Sequence, residues 1–354
     1  MTMVGAFGAW IGDRISRLRA ERRKRAPLSS WDTGLSVVYV TRRAEPRFDW
    51  FADSLASQLG GEESLEVVFV DGFHSAGRSA ALAGIVRGRF PYRHVPPKPS
   101  PLSGPYRLTA REYFAAASAR NTGIVYARHP YVVFVDDVSV LLPGWWKEVR
   151  RAARLRYVVA GAYQKHFEMT VEDGLLVASR SEPAGIDSRW ALGDSGGLVP
   201  IPGGQLYGSS VGVPRDALLA VNGFDELCDS AGGEDYQLGV RLEWAGEAIY
   251  YSRAMLTVES EELHRQGAAL GGIDRTLDEA AYMSLLRTFG VGRRTTDGPR
   301  EMGFMVLDIL YGTHSVRSLG NSYSLAELRE EDLPGLVERF PRRHWFTGEA
   351  LSDL

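Results

Sequence analysis

Along the first half of the chain, short unbroken apolar runs alternate with segments of helical period. LSVVYV (35–40), LEVVFVD (65–71) and YVVFVDD (131–137) are such runs, bounded by polar or turn-forming residues, and predict strands buried on both faces. Between the first two, RFDWFADSLASQLG sets Phe48, Phe51, Leu55 and Leu59 on one face of a helix that stops at a glycine. TAREYFAAASARNTGIVYA (109–127) predicts a second helix, opened by Thr109 and Glu112 at capping-box spacing. The Pro-rich PPKPSPLSGP (96–105) reads as a loop and YVVAGAY (157–163) as a further strand.

Strands alternating with helices predict a parallel sheet of the doubly wound kind. Past that region the pattern changes. Residues 180–212 are rich in Gly, Ser, Asp and Pro and read as loops around a site. Order resumes over 213–250, with a short helix, the turn NGFDE (222–226), and GGEDYQLGVRLEWAG (232–246) as a helix led by glycines. The expected division is a basic N-terminal arm (1–30), an α/β domain (31–265) and a mostly helical C-terminal extension (266–354).

Composition narrows the class without deciding it. The chain has 354 residues, 44% apolar and 24% charged, with a formal net charge of −3, the balance of a globular protein with no global attraction to nucleic acid. One cysteine, Cys228, excludes a disulfide within the chain, and no apolar run approaches the roughly 18 residues that span a bilayer. The expected location is the cytoplasm, free or peripherally attached to a membrane. RISRLRAERRKR (14–25) holds seven Arg or Lys against one Glu. It reads either as a solvated basic helix or as a contact for an anionic surface.

The candidate chemistry lies where runs end in carboxylates. Asp71 closes one predicted strand and Asp136-Asp137 another, so both sites fall on the rim where open α/β sheets bind ligands. Strand-end carboxylates can cap the following turn, or they can bind Mg²⁺ or Mn²⁺, hard cations that take carboxylate, water and phosphate oxygens. Glu234 and Asp235 follow two glycines at a helix start, which suits the helix dipole and also allows close approach of a ligand hydroxyl. Trp190, among glycines, suits either stacking on a sugar ring or packing; His314 and Arg317 fall in a probable surface loop.

In order along the chain, LSVVYVTRRAEP, VVFVDG, ASARNTGIVYA, VVFVDDVSVLLPGWW and GSSVGVPRDALLAVNGFDE with GGEDYQLGVRLEWAG resemble the family-2-like glycosyltransferases of the GT-A fold, over about 35–265. The resemblance implies a Rossmann-like, mostly parallel central sheet flanked by helices, with a helical C-terminal extension. It implies a metal-dependent inverting transfer from a nucleoside-diphosphate sugar, with Mn²⁺ or Mg²⁺ as cofactor. Carried over residue by residue, Thr41, Glu45, Asp71, Arg120, Asn121 and Asp136 would bind the nucleotide sugar. Asp136, Asp137 and His264 would meet the metal, Asp235 would be the general base beside Glu234, and Trp190 and Gly233 would face the acceptor. Aligned on Pro143-Gly144-Trp145, the second Asp of the family's DxD motif falls on Val138, which has no metal-binding atom. Two other readings stay open: a non-catalytic nucleotide-sugar or carbohydrate-binding protein of the same fold, and a transferase acting on hydroxylated DNA bases. The acceptor class (glycan, lipid, small molecule or modified DNA) is undecided at this point.

Overall fold

The computed structural model describes residues 34–61, 64–100, 114–192, 197–207, 209–229, 233–271, 316–318, 321 and 323–336, with the backbone alone for 182–184 and 267–271. The basic arm, Thr109, Glu112 and His314 lie outside the described residues.

The elements follow in the order β1 (Leu35–Thr41), α1 (Phe48–Ala56), β2 (Leu65–Asp71), α2 (Ala76–Val86), β3 (Tyr92–Val95), α3 (Ala116–Tyr126) and β4 (Tyr131–Asp136). After them come β5 (Ser139–Leu141), α4 (Trp145–Leu155), β6 (Val158–Glu172), β7 (Leu175–Ile186), β8 (Val199–Pro200), β9 (Ser210–Pro214), α5 (Arg215–Ala220), α6 (Glu234–Trp244), β10 (Ile249–Ser260) and α7 (Glu261–Gly271). The main path of the ten-stranded sheet runs β3-β2-β1-β4-β9-β6-β10-β5, with β7 paired to β6 and β8 to β10.

The βαβ half is parallel: β1 pairs with β2 in the register Thr41↔Asp71 and with β4 in the register Val40↔Asp136. That register puts Thr41, Asp71 and Asp136 at one rim. Beyond β4 the sheet is mixed, because β9 enters antiparallel between β4 and β6 while β6 and β10 are again parallel to each other. Alternate side chains of the parallel strands point into two apolar clusters. Val38, Val68, Val132 and Phe134 face α3, α5 and α6, and Val37, Tyr39, Phe69 and Val133 face α1 and α4. As the helical spacing predicts, Phe48, Phe51 and Leu55 are buried; α1 ends at Ala56, and Leu59 packs on the core from the turn beyond.

Two elements differ from the sequence pattern. The strand expected at 157–163 continues to Glu172 and returns as β7 through Asp173-Gly174, both at positive φ (48° and 77°), as a two-residue primed hairpin turn requires. Helix α3 begins at Ala116, inside the predicted span. Its first turn is capped from a distance, since the Asp229 carboxylate accepts hydrogen bonds from the backbone N–H of Ala117 (2.6 Å) and Ser118 (3.1 Å). A tertiary carboxylate thus satisfies donors that would otherwise be orphaned at the helix start.

Of the C-terminal stretch, residues 323–336 are irregular around one 3₁₀ turn, Glu330–Asp332. Tyr323, Leu325, Leu333 and Leu336 are buried in the same apolar cluster as α3 and α6. Among the described residues no helix is long and apolar enough to cross a membrane.

Candidate active site

One buried guanidinium organises the rim. Arg120 on α3 is 5% exposed and donates from Nη2 to Asp136 Oδ1 (2.8 Å) and from Nη1 to Glu234 Oε1 (2.7 Å), with Asp235 Oδ1 at 3.4 Å. Its guanidinium carbon lies over the Phe224 ring, 5.3 Å from the centroid. Burial disfavours its charge, but Asp235, Asp136 and Glu234 outweigh that and hold its pKa well above the usual value. The helix that the alternating pattern placed beside the strand ends therefore joins both carboxylate motifs through one side chain.

Asp136 is the more open member of the acidic pair. Its side chain is 36% exposed, and Arg120 engages Oδ1. Asp137 is held by the chain itself: Thr41 Oγ1 donates to Oδ2 (2.6 Å) and Arg43 Nε to Oδ1 (2.8 Å). Burial raises its pKa, with the Arg43 charge opposing. Arg43 also donates from Nη1 to the carbonyl of Leu263 (2.7 Å), so Asp137, Thr41 and Arg43 tie β1 to α7. Both oxygens of Asp137, expected at the metal, thus accept hydrogen bonds from within the fold. Val138, the next residue, sits at φ 53°, where a β-branched side chain is strained. It is fixed by its N–H on the Pro46 carbonyl and its carbonyl on the Ser260 N–H.

Asp71 is fully buried. Oδ1 accepts from the Phe73 N–H (2.8 Å), while Oδ2 accepts from Arg78 Nε (2.6 Å) and lies 3.0 Å from His94 Nε2. Burial pushes its pKa up, yet the His94, Arg78 and Phe73 hydrogen bonds together hold it below the usual value. Arg78 in turn donates to the carbonyls of Ala44 (2.7 Å) and Arg43 (3.1 Å), so Asp71 supports the loop after β1. Glu45 stands exposed on that loop. Asn121 is 0% exposed and holds the turn after α5: Nδ2 donates to the Phe224 carbonyl and Glu226, and Oδ1 accepts the Phe224 N–H. In that turn Gly223 has φ +69°, and a Cβ there would meet Leu325 and Asn121 within 2.4 Å. Asn121, expected at the nucleotide, thus holds this turn in position.

Gly233 has φ +87° and open space around its missing Cβ, the backbone that lets α6 start under Glu234 and Asp235. Burial, with Glu234 and Asp136 adding negative charge and Arg120 opposing, pushes the Asp235 pKa up to about 8. Trp190 packs against the core and carries the Arg253 guanidinium 3.7 Å from its ring centroid. His264 lies on the exposed side of α7, its pKa lowered first by burial and then by the Lys165 and Arg43 charges.

Three residues were missed by sequence reasoning. Glu259 ends β10, is 6% exposed, and has its pKa raised to about 7 by burial and then by the Asp136 charge. The signal was present, since TVES is another strand run closing on a carboxylate. Asp187 and Arg189 form a buried pair at 2.7 Å, with Arg189 donating to the carbonyls of Gln205 (2.9 Å) and Gly161 (3.0 Å). They brace the loop that carries Trp190.

Among the described residues, no group of three His, Cys, Asp or Glu is placed to hold a metal ion. Asp136 offers an exposed carboxylate oxygen that Arg120 does not take, and His264 a neutral imidazole nearby. Mg²⁺ and Mn²⁺ sites that share substrate phosphates need only one or two protein carboxylates. The donors fit an ion that arrives with a diphosphate, not a closed protein cage.

Residues 36–192 match the sequence model of glycosyl transferase family 2. The chain carries a family 2 glycosyltransferase domain. It is thus a glycosyltransferase, and its fold is of the GT-A type. No curated protein sequence matches the chain. Among solved structures, GalNAc-T7 with UDP, GalNAc and Mn²⁺ is 12% identical with a TM-score of 0.50, the match covering 87% of this chain and 58% of that one. TarS 1–349 of S. aureus is 15% identical with a TM-score of 0.45, over 87% of this chain and 79% of that one. The mannosyltransferase PcManGT from Pyrobaculum calidifontis, in complex with GDP-Man and Mn²⁺, is 16% identical with a TM-score of 0.44, over 91% and 82%. At 12% identity the likeness to GalNAc-T7 shows the fold alone.

Proposed function

We propose that this glycosyltransferase moves a sugar from a nucleoside-diphosphate donor to an acceptor hydroxyl with inversion at the anomeric carbon, Asp235 taking the hydroxyl proton. The observation that carries the proposal is the Arg120 bridge, which ties the strand-end Asp136 to the Glu234-Asp235 helix start. A leaving diphosphate and an attacking hydroxyl must lie on opposite sides of the sugar, and the bridge spans two elements suited to those ends. Asp235, with its pKa pushed up to about 8, is basic enough to accept a proton as the C–O bond forms. Glu234 spends its Oε1 on Arg120 and positions it.

On the donor side, the exposed carboxylate of Asp136 and the imidazole of His264 would hold a divalent ion, Mn²⁺ or Mg²⁺. Bound there, such an ion supplies positive charge against the leaving diphosphate. Arg120 adds a fixed guanidinium that needs no reorganisation. The neighbouring structures with GDP-Man and with UDP, GalNAc and Mn²⁺ are consistent with a nucleotide-sugar donor and a metal. Glycan, lipid, small-molecule and modified-DNA acceptors all offer the hydroxyl this chemistry needs.

The test is donor turnover across a panel of nucleotide sugars with and without Mn²⁺, followed by Asp235→Asn. Turnover that needs the metal and falls about 10²- to 10⁴-fold in the variant, with donor affinity kept, supports the assignment. Binding of a nucleotide sugar with no turnover under any condition would instead make the chain a non-catalytic binding protein.

A further inference from the structure

A cavity of about 390 Å³ opens at the other end of β4 and is lined by Arg128, His129, Arg156, Arg215, Asp216 and Leu219. At about 3.3 Å per residue, the six-residue strand separates it from Asp136 by roughly 17 Å. It belongs to the opposite rim of the sheet and shares no side chain with the active site.

Its charges are unequal. Three guanidiniums and an imidazole face one carboxylate, Asp216, which Arg156 already engages. Arg128 is 66% exposed, and its contact with Glu330 is long, 3.8 Å, because Arg93 holds the same oxygen more closely. Behind the cavity, Glu66 acts on Arg215, but its Oε1 already accepts from Ser36 Oγ (2.7 Å) and the Arg128 N–H (2.6 Å). Arg215 Nε is buried without a hydrogen-bond partner. An unmatched buried donor of this kind calls for a missing acceptor. A Cβ on Gly34 would fall 2.2 Å from His129 Nδ1, so the start of β1 packs directly against the cavity wall.

We propose that this cavity is a binding site for a phosphate group, gripped by the Arg128 and Arg215 guanidiniums. Planar guanidinium forks match phosphate oxygens in pairs, and a dianion would balance the excess positive charge. The group could be carried by a free phosphate compound or by a phospholipid headgroup, and the experiment separates the two.

Full-length protein is titrated calorimetrically with inorganic pyrophosphate in EDTA. It is also sedimented with vesicles of phosphatidylcholine alone or doped with phosphatidic acid. We expect saturable binding on at least one arm, and R128Q/R215Q should weaken it about tenfold or more, the loss of two charge-assisted hydrogen bonds. Pyrophosphate binding that R128Q weakens identifies a free ligand; binding to doped vesicles alone, weakened likewise, identifies a headgroup. R128Q by itself changes an exposed residue and should still weaken binding about threefold if the double variant does not fold. Absence of binding on both arms, or affinities unmoved by R128Q and R128Q/R215Q, overturns the proposal.

Discussion

At the residue scale, Arg120 and Asp235 set each other's state. The guanidinium is buried among three carboxylates, and they keep it charged while it restrains the rise in the Asp235 pKa. Removing the fork should therefore cost more than its own charge. Arg120→Lys keeps the charge but cannot donate to Asp136 and Glu234 at once. Transfer is expected to fall about 100-fold, with a lowered melting temperature, and unchanged turnover in R120K would remove the bridge from the mechanism. The raised Asp235 pKa makes a second prediction, of pH dependence. Only the carboxylate form accepts a proton, so kcat/KM should climb with pH through about 8, and Asp235→Asn should erase that limb. Stability runs the other way. A carboxyl whose folded pKa lies above its unfolded value adds stability that is complete below about 4 and lost as pH rises through about 8. The melting temperature of Asp235→Asn should match the parent at about pH 4 and exceed it at pH 9; the reverse order would show that Asp235 is not held protonated by the fold.

At the element scale, α3 reaches its place through groups distant in sequence. Asp229 caps its first turn, and Asn121 anchors the turn at Phe224. Asp229→Ala leaves two N–H groups without acceptors, which costs about 1–2 kcal/mol by the measure of lost helix caps. The melting temperature should drop by several degrees, and donor affinity should weaken because Arg120 rides on the same helix. A variant with parental melting and affinity would deny the cap its role. The same contacts explain what the sequence could and could not reveal. Strands β1, β2 and β4 and helix α6 were legible because unbroken apolar runs and a Gly-led acidic start are local signals. Asp136 and Asp235 came with them, as the polar residues at those ends. The inward position of Asp137 was not legible, because it depends on Arg43 reaching across from β1. Asn121 looked like a ligand-facing polar residue, and only the approach of the Phe224 turn buries it. The β6–β7 hairpin was missed despite Asp173-Gly174, a strong turn signal, because its flanking residues are half-exposed and their alternation is irregular.

At the scale of the whole molecule, the C-terminal chain closes the catalytic half instead of standing apart from it. Asn321 donates to the carbonyls of Asn222 and Phe224, and Asn222 binds the Tyr323 carbonyl and the Leu325 N–H. These bonds clamp the turn that leads into Glu234 and Asp235. Tyr323, Leu325, Leu333 and Leu336 are all 5% exposed or less and complete the apolar cluster over α3 and α6. Full burial of such side chains contributes about 1.5–3 kcal/mol each, so together they are on the order of a domain's entire net stability of about 5–15 kcal/mol. A chain ended at Gly271 should therefore lose cooperative melting, where a detachable extension would leave the parental transition intact. Leu325→Ala with Leu333→Ala keeps the chain length and isolates the packing. It should lower the melting temperature by about ten degrees or more while the protein still folds at low temperature. If both altered chains melt as the parent does, the 321–336 segment is an accessory. If both lose stability, the fold that presents Asp235 extends from β1 to Leu336, and the C-terminal contacts are part of what builds the active site.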